Sequence, residues 1–414
     1  MRIEAVRGRK ILDSRGDPTV EVEVRGGGVL GRGSAPSGKS RGKHEAVAFP
    51  PGGVEASLSL LRRELSPKLR GRELDFRKTD TFVKEQDGTP NFSRIGGNLA
   101  VALSFAVAKA EASARGLPLF RLFGRGSALP LPLGNVLGGG VHAGGGGTDL
   151  QEILVVAPDA GSFQEAALIN ARVHRRVGEL LRERGGRFAG GKGDEGAWIS
   201  PLGGEESLEV VSRACEEVGR EAGTRVRMGL DMAASNLYDP KDERYVYLRE
   251  GKRLTEEEQL EFALKLVETY DLFFLEDPLH EEDFSGFSRL REEVGRRCLV
   301  CGDDLFVTNV ERMERGIREG STNAVLIKPN QVGTLSGALD AIRLAHRKGL
   351  VPVVSHRSGE TTDETIAHLA VGGGCPLIKT GAVGGERTAK LNELIRLEEE
   401  LKGGLARLGL SGSG

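Results

Sequence analysis

The sequence lacks the features of a membrane or nucleic-acid-binding protein. No apolar run approaches the roughly 18–20 residues that span a bilayer, and charges occupy the N-terminal stretch where a signal peptide needs its apolar segment. The chain carries 58 Lys and Arg against 60 Asp and Glu, and its net charge of −2 gives no basic surface for nucleic acid. We therefore expect a cytoplasmic protein with neither a nucleic-acid nor a membrane partner, and a small neutral or anionic ligand stays open.

Cysteine is scarce as well. Four cysteines in 414 residues are too few for a disulfide scaffold and fit a reducing compartment. Cys298 and Cys301 have the spacing of half a metal knuckle, but no second Cys or His pair follows. They lie in an apolar run whose strand geometry points residues three apart to opposite faces, so we expect them in the core.

Glycine is the residue in excess. The chain has 60 glycines in 414 residues, roughly double the usual share of about 7%. The densest group occupies residues 138–147 and carries His142 in its middle. The pattern predicts a loop of unusual backbone freedom that presents a histidine.

Residues 1–125 read as strands followed by helices. Short, partly alternating runs predict strands over 3–12, 19–25 and 28–34. Helical spacing of apolar residues follows over 54–69, 75–84 and 97–115. Strands and helices in separate blocks indicate a small α+β domain, and the proline-bearing stretch 116–132 contains its boundary.

Residues 126–414 alternate between strands and helices. About eight such units fit one α/β domain, a (β/α)8 barrel, and an open doubly wound sheet is the competing architecture. No GxGxxG motif stands between a strand and a helix to support the open sheet. The apolar runs are Leu150–Val156, Val226–Leu230, Leu272–Leu275, Cys298–Cys301, Ala324–Ile327, Val351–Val354 and Pro376–Ile378.

Ionisable residues directly follow six successive apolar runs. In a parallel barrel these strand ends lie on one face, which is where active sites of this architecture are built. One Asp after a strand is most simply a solvated loop charge, but six ionisable ends in register favour a site. The residues are Asp231, Glu276 with Asp277, Asp303 with Asp304, Lys328, the stretch 355–358, and Lys379.

Three of these strand ends predict a magnesium site. The carboxylates of Asp231, Glu276 and Asp303 would repel one another unless a cation lay between them, and oxygen ligation with room for water suits Mg²⁺. The two lysines and the Ser-His-Arg-Ser stretch 355–358 form a cationic half on the adjoining strand ends. That half suits a phosphate or carboxylate held against the metal.

Such a site favours proton abstraction next to a carboxylate. A substrate carboxylate bound to Mg²⁺ has an acidified α-proton, because the enolate charge falls on oxygens that contact the cation. Lys328 is the candidate base, and we expect Lys379 to lower its pKa. The acidic turn at residues 193–196 is a candidate acid on the opposite face, with an ordinary solvated turn as the alternative.

The motifs at these positions resemble the enolase family. The resemblance covers essentially the whole chain in family order, and few other groups carry SHRSGET and LEDP on separate strands of one barrel. The matching segments are ILDSRGDPTVEVEV, SAPSGKSRG, GNVLGGGVHAGG, DLQEILVV, GDEGAW, GLDMAAS, FLEDPLHEEDF, CGDDLFVTN, LIKPNQVGT, SHRSGETTD and LIKTGA.

The resemblance implies a fold and an activity. The fold is a small α+β N-terminal domain packed on a variant (β/α)8 barrel whose opening strands and helices do not alternate strictly. The activity is the Mg²⁺-dependent, reversible dehydration of 2-phospho-D-glycerate to phosphoenolpyruvate in glycolysis and gluconeogenesis. The resemblance also implies a homodimer or a ring of dimers.

Residue roles carry over position by position. Lys328 would take the C2 proton, and Glu195, with Glu152 beside it, would assist departure of the C3 hydroxyl. A lysine base combined with Mg²⁺ that stabilises the ene-diolate is general in this superfamily. The remaining residues would bind substrate: His142 from the glycine loop, His356, Arg357 and Ser358 at the phosphate, and Lys379 at the carboxylate.

Two Mg²⁺ ions per active site are implied. Asp231, Glu276 and Asp303 would hold the tighter one, and Glu276 and Asp303 would also border the substrate. The second would bind with the substrate and contact Ser40 of an N-terminal mobile loop.

The sequence departs from the family around Ser40. The family usually reads PSGAST, whereas this chain reads PSGKSR, which adds the charges of Lys39 and Arg41. These charges either help to attract an anionic substrate or weaken the second Mg²⁺ by repulsion.

Two other functions compete with this interpretation. A superfamily member acting on a non-phosphorylated acid would not need the cluster of His356, Arg357 and Ser358, which is intact. An enolase-like protein recruited as a binding partner would have lost an acid, base or ligand position, and none is lost.

Overall fold

An antiparallel meander of three strands opens the chain, in a computed structural model that describes residues 1–38, 42–144, 146–184, 188–401 and 403–410. The strands β1 (Ala5–Leu12), β2 (Pro18–Gly26) and β3 (Val29–Ser34) lie side by side in that order. Gly27 and Gly28 both have positive φ and make the tight turn between β2 and β3. The alternating pattern predicted all three strands to within two residues.

Helices follow the meander and pack against it. They are α1 (Gly53–Leu60), a π-helical turn (Leu61–Leu65), α2 (Ser66–Leu69), α3 (Phe76–Asp87), α4 (Gly97–Ala114) and α5 (Leu119–Phe123). Helix α4 is buried along most of its length because apolar residues cover all its faces. A Cβ at Gly31 would lie 2.0 Å from the Ala106 carbonyl oxygen, so glycine is needed for β3 to approach α4 this closely.

The later strands of the described residues form a barrel with two small additions. They are β4 (Leu131–Gly138), β5 (Glu152–Val156), β6 (Trp198–Ile199), β7 (Arg227–Asp231), β8 (Tyr238–Asp239), β9 (Arg244–Tyr247), β10 (Lys252–Leu254), β11 (Phe274–Glu276), β12 (Leu299–Gly302), β13 (Ala324–Ile327), β14 (Val351–Ser355) and β15 (Leu377–Lys379). Eight of them form a ring in the order β4, β5, β7, β11, β12, β13, β14, β15. The ring closes where β15 pairs with β4, which confirms the barrel and excludes the open sheet.

Strand β5 runs in the opposite direction to its neighbours. It pairs antiparallel with β4 and β7, whereas the other neighbouring barrel strands are parallel. Strands β4 and β5 therefore form a hairpin through the glycine-rich loop, and two helices follow before β7. This is the departure from strict alternation that the family resemblance implies. The apolar pattern missed β4, because Pro132, Gly134 and Asn135 interrupt it.

Helices surround the barrel. They are α6 (Phe163–Glu183), α7 (Gly204–Ala222), α8 (Glu256–Tyr270), α9 (Phe284–Val294), α10 (Val310–Glu319), α11 (Leu335–Lys348), α12 (Thr365–Gly372) and α13 (Gly385–Leu401). Their apolar faces bury the barrel strands on the outside, which is why the strands read as continuous apolar runs. Within the described ranges, no helix is both long enough and apolar enough to cross a bilayer.

The N-terminal region contacts the barrel beside the loop that follows β14. Ser37 and Gly359 exchange two backbone hydrogen bonds of 2.7 and 2.9 Å. Lys109 of α4 lies 3.2 Å from Asp363 and 2.9 Å from Glu364. These contacts hold residues 34–38 next to the ends of the barrel strands.

Candidate active site

Carboxylates from three adjacent strands meet at one end of the barrel. Asp231 ends β7 and Glu276 ends β11, and the two are direct partners in the strand register. Glu152 begins β5 and is the partner of Asp231 on the other side. Because β5 is antiparallel to its neighbours, the first residue of β5 lies beside the last residue of β7. The strand register therefore places three buried acidic groups in a row.

Lys379, the last residue of β15, contacts all three carboxylates. Its Nζ lies 2.8 Å from Glu276 Oε2, 3.1 Å from Asp231 Oδ2 and 3.2 Å from Glu152 Oε2. Burial lowers the pKa of Lys379, but Asp231, Glu152 and Glu276 outweigh it and hold the pKa well above its usual value. Lys379 is therefore an ammonium group that offsets this negative charge.

Lys328 follows β13 and pairs with the Asp303 carboxylate. Burial lowers the pKa of Lys328, and Arg357 acts in the same direction, but Asp303 outweighs them and the net pKa is raised. Lys379 does act to lower this pKa, as expected, but the expected net decrease is wrong. The reason is that the Asp303 carboxylate pairs directly with Lys328 and outweighs the cations.

The acidic groups of this face fit a divalent cation. Oxygen atoms of Glu276, Asp277 and Asp303 lie within 4.8 Å of one another. Glu276 Oε1 is buried and has no hydrogen-bond partner among the described residues. Burial, together with Asp231, raises the pKa of Glu276 well above its usual value, as expected for a carboxylate that lacks a sufficient counter-charge. A hard cation with oxygen ligands would supply that charge.

Asp277 also belongs to this cluster. Its carboxylate oxygens accept hydrogen bonds from the backbone N–H groups of Asp303, at 3.0 Å, and Asp304, at 2.7 Å. Asp277 thus fixes the chain that carries Asp303. Asp231 Oδ2 instead accepts from Gln151, at 3.2 Å, and from Lys379.

The loop after β14 presents the predicted phosphate-binding residues. His356, Arg357 and Ser358 are all buried at the pocket. Arg357 donates to both carboxylate oxygens of Glu45, at 3.0 and 3.1 Å. Burial lowers the pKa of Arg357, but Glu45 outweighs it and the net pKa is raised. Sequence reasoning missed Glu45, because its partner is far away along the chain.

Glu195 lies across the pocket in a group of polar side chains. Its Oε2 accepts a 3.1 Å hydrogen bond from Asn135 of β4 and lies 3.2 Å from His356 Nε2. His142 Nδ1 lies 3.4 Å from Glu152 Oε1 and 3.9 Å from Glu195 Oε1. Glu195 is only 3% exposed, so the turn at 193–196 is not an ordinary solvated one.

The two carboxyl groups on this side have diverging pKa values. Burial raises the pKa of Glu152 well above its usual value, and the neighbouring Glu195 raises it further. Burial also acts to raise the pKa of Glu195, but His356, His142 and the Arg387 charge outweigh burial and hold it well below its usual value. The pKa values of Glu152 and Glu195 are therefore moved in opposite directions, a pattern typical of acid–base pairs.

The glycine-rich loop brings His142 to the pocket. Residues Gly140–Ala143 form a short 3-10 turn in which His142 is buried. A Cβ at Gly139 would lie 2.2 Å from the Thr148 carbonyl oxygen, so this position does not accommodate a side chain. Burial lowers the pKa of His142, which favours its neutral form.

These groups enclose a small polar pocket. Each predicted site residue within the described ranges lines it except Glu276, which is fully buried and contacts Lys379. Gly38 lines the pocket next to the segment where Ser40 was predicted to act. Lys39, Ser40 and Arg41 lie outside the described residues.

Comparison with known proteins assigns the family. Residues 3–123 match the family described as "Enolase, N-terminal domain", and residues 126–409 match "Enolase, C-terminal TIM barrel domain". The chain belongs to the enolase family. The resemblance in the sequence is confirmed, and so is the expected fold of an N-terminal domain with helices and strands followed by a barrel.

Curated enolases match along almost the full chain. The enolase of Methanothermobacter thermautotrophicus is 52% identical over 402 residues, which cover 96% of this chain and 97% of the relative. The enolase of Archaeoglobus fulgidus is 50% identical over 402 residues, covering 96% and 98%. That of Halorubrum lacusprofundi is 49% identical over 404 residues, covering 96% and 99%.

The activity expected from the sequence is confirmed at this level of similarity. The chain is a lyase, a phosphopyruvate hydratase, and it dehydrates the small-molecule substrate 2-phosphoglycerate in glycolysis.

Proposed function

We propose that Lys328 and Glu195 divide the dehydration of 2-phospho-D-glycerate between two sides of the pocket. One observation carries the proposal: β13, which precedes Lys328, lies four strands from β5 in the ring of eight. Lys328 and Glu152 therefore lie on opposite sides of the barrel mouth, and Glu195 is connected to the Glu152 side through His142. Removal of a C2 proton from one side and loss of the C3 hydroxyl on the other need this arrangement.

Lys328 would accept the C2 proton at Nζ, and the chain would direct a proton to the departing C3 hydroxyl from the other side. Glu195 would contact that hydroxyl, and Glu152, whose pKa is raised, would act beside it as a proton source. His142 lies within reach of both carboxyl groups and would close the substrate off from water.

Asp231, Glu276 and Asp303 would hold Mg²⁺, with Asp277 orienting Asp303. When bound, the ion would stabilise the negative charge that the substrate carboxylate gains on loss of the C2 proton. Lys379, already an ammonium among these carboxylates, would bind the substrate carboxylate. His356, Arg357 and Ser358 would bind the phosphate, and Glu45 would orient Arg357.

Removal of divalent metal is expected to abolish activity. Without a cation, the carboxylates of this site oppose the formation of another negative charge. The measurement is an absorbance assay for phosphoenolpyruvate before and after EDTA treatment, with restoration by added Mg²⁺ as the control. Activity that survives thorough metal removal would contradict the proposal.

A second Mg²⁺ would bind together with the substrate, with Ser40 as a ligand. Ser40→Ala is then expected to weaken the binding of the second ion and lower the rate, because one oxygen ligand and one closure contact are lost. The Mg²⁺ dependence of kcat measures this. Lys39→Ala is the matched variant, since it removes a neighbouring charge but keeps the Ser40 hydroxyl. An unchanged Mg²⁺ dependence in Ser40→Ala would exclude the role.

We also propose how the enzyme assembles, where it is located and where its two domains meet. We expect a homodimer or a ring of dimers, which light scattering would distinguish. Four free, buried cysteines fit a reducing compartment and so a cytoplasmic enzyme. We place the division between the N-terminal domain and the barrel at residues 125 and 126.

A further inference from the structure

Arg387 is a fully buried guanidinium group next to the proposed active site. It lies in the first turn of α13, and the sequence analysis did not identify it as a site residue. Its Nη1 donates to His356 Nδ1, at 2.8 Å, and to the Arg357 carbonyl oxygen, at 2.7 Å. Its Nη2 donates to the carbonyl oxygens of Asp194, at 3.2 Å, and Ser358, at 2.8 Å. Arg387 therefore joins the loop that carries Glu195 to the loop that carries the phosphate-binding residues.

These contacts determine which nitrogen of His356 carries the proton. The two terminal nitrogens of a guanidinium group have four hydrogens and no acceptor, and the four contacts use all four hydrogens. His356 Nδ1 must therefore accept, which leaves the ring proton on Nε2. A proton on Nδ1 would place two donors against each other, and in the doubly protonated ring it would also place two positive charges side by side.

The proton on His356 Nε2 lies next to Glu195. Nε2 is 3.2 Å from Glu195 Oε2, a contact that is not aligned as a hydrogen bond in the described structure, and the same oxygen accepts from Asn135 Nδ2. The other oxygen, Oε1, lies 3.9 Å from His142 Nδ1. In the alternative tautomer a nitrogen lone pair would face the carboxylate and repel it.

We propose that Arg387 is a positioning residue that holds His356 as the neutral Nε2–H tautomer and thereby orients the Glu195 carboxylate for catalysis. Its catalytic part rests on the proposed function of Glu195. The side chain of Arg387 does not reach the pocket itself, so its effect passes through His356 and through the backbone of the two loops.

The charged groups around His356 fit this role. They are Glu195 from the turn at 193–196, Arg387 from α13 and Lys379 from β15. Burial lowers the pKa of His356 to about 3, with Arg387 and Lys379 adding to the decrease and Glu195 opposing it. Loss of the Arg387 charge is therefore expected to move this pKa upward, toward the ordinary value of about 6.5.

The tautomer can be measured without activity. Long-range ¹H–¹⁵N spectra of the full enzyme with ¹⁵N-labelled histidine distinguish an N–H nitrogen from a bare one, and a His356→Gln spectrum assigns the signal. We expect a bare Nδ1 and a protonated Nε2 at neutral pH. A protonated Nδ1 in the native enzyme would overturn the proposal, whether or not the enzyme dehydrates 2-phosphoglycerate.

Two variants then test the dependence on Arg387. Arg387→Met removes the donor and the charge, and we expect a mixture of tautomers and a kcat lower by roughly 10²-fold. We also expect the acid limb of its kcat/KM profile to move to higher pH. Arg387→Lys keeps a donor and the charge, and it should restore the Nε2–H tautomer and part of kcat.

Lys390→Met is the matched control. Lys390 lies one turn further along α13, is equally buried and binds the Thr361 carbonyl oxygen and Glu360. Its replacement also removes a buried cation, but it should change neither the His356 signal nor the acid limb. If Lys390→Met and Arg387→Met change the His356 signal and the acid limb of the kcat/KM profile equally, Arg387 has only a structural role. If Arg387→Met does not fold, the native spectrum and Arg387→Lys still decide the question.

Discussion

Lys328→Ala is expected to abolish both net formation of phosphoenolpyruvate and exchange of the C2 proton with solvent. A positioned general base contributes roughly 10²–10⁴-fold to a rate. Among the described residues that line the pocket, Lys379 is the other amine, and three carboxylates hold it in place. The measurement is deuterium incorporation at C2 of 2-phosphoglycerate recovered from D₂O, next to the absorbance assay. Loss of both signals identifies Lys328 as the base.

Lys348→Ala serves as the control for this experiment. Lys348 is an exposed residue at the end of α11, away from the pocket, so its loss removes the same charge without an effect on either signal. C2 exchange that persists in Lys328→Ala at the rate of the unmodified enzyme would exclude Lys328 as the base. Because Asp303 opposes the effects of burial and Arg357 on the pKa of Lys328, the readiness of the amine to accept a proton depends on what Asp303 contacts.

Glu195→Gln is expected to lower the rate of net dehydration by roughly 10²–10⁴-fold, while exchange of the C2 proton continues. The amide keeps the shape of the side chain and can still accept from Asn135, but it cannot carry the charge or proton that departure of the C3 hydroxyl needs. Abstraction of the C2 proton occurs on the other side of the pocket and should remain. The same D₂O experiment separates the two steps.

Glu221→Gln is the matched control, because Glu221 is exposed on α7 and pairs with Arg172 at the surface. It should leave dehydration and exchange unchanged. Loss of C2 exchange in Glu195→Gln as well as in Lys328→Ala would show that the two roles are divided wrongly. Net dehydration at the normal rate in Glu195→Gln would remove Glu195 from the mechanism.

Much of the barrel could be predicted from the sequence because its strands are buried on both faces. Such strands read as short apolar runs, and the ionisable residue after each run marks the end that faces the pocket. Strand β4 was not predicted because polar and glycine residues interrupt its apolar pattern. These residues are buried only by contacts with other parts of the closed barrel. Asn135, for example, is buried because Glu195 accepts its hydrogen bond.

The contacts between distant segments could not be predicted in the same way. Glu45 and Arg357 form a buried ion pair across the two regions of the chain, and Arg387 joins two loops that are separated by more than a hundred residues. Neither contact leaves a periodic or local signal in the sequence. The predicted net decrease in the pKa of Lys328 was wrong for a related reason. The net shift depends on which carboxylate lies nearest to the amine in space, and the sequence does not show that this is Asp303.

The reversed direction of β5 also affects how the enzyme can vary. In an ordinary βα unit, the chain leaves the catalytic end of the barrel and returns to the opposite end through a helix. The connection from Gly138 to Glu152 instead starts and finishes at the catalytic end. Insertions or deletions in it would reshape the entrance without displacing any outer helix.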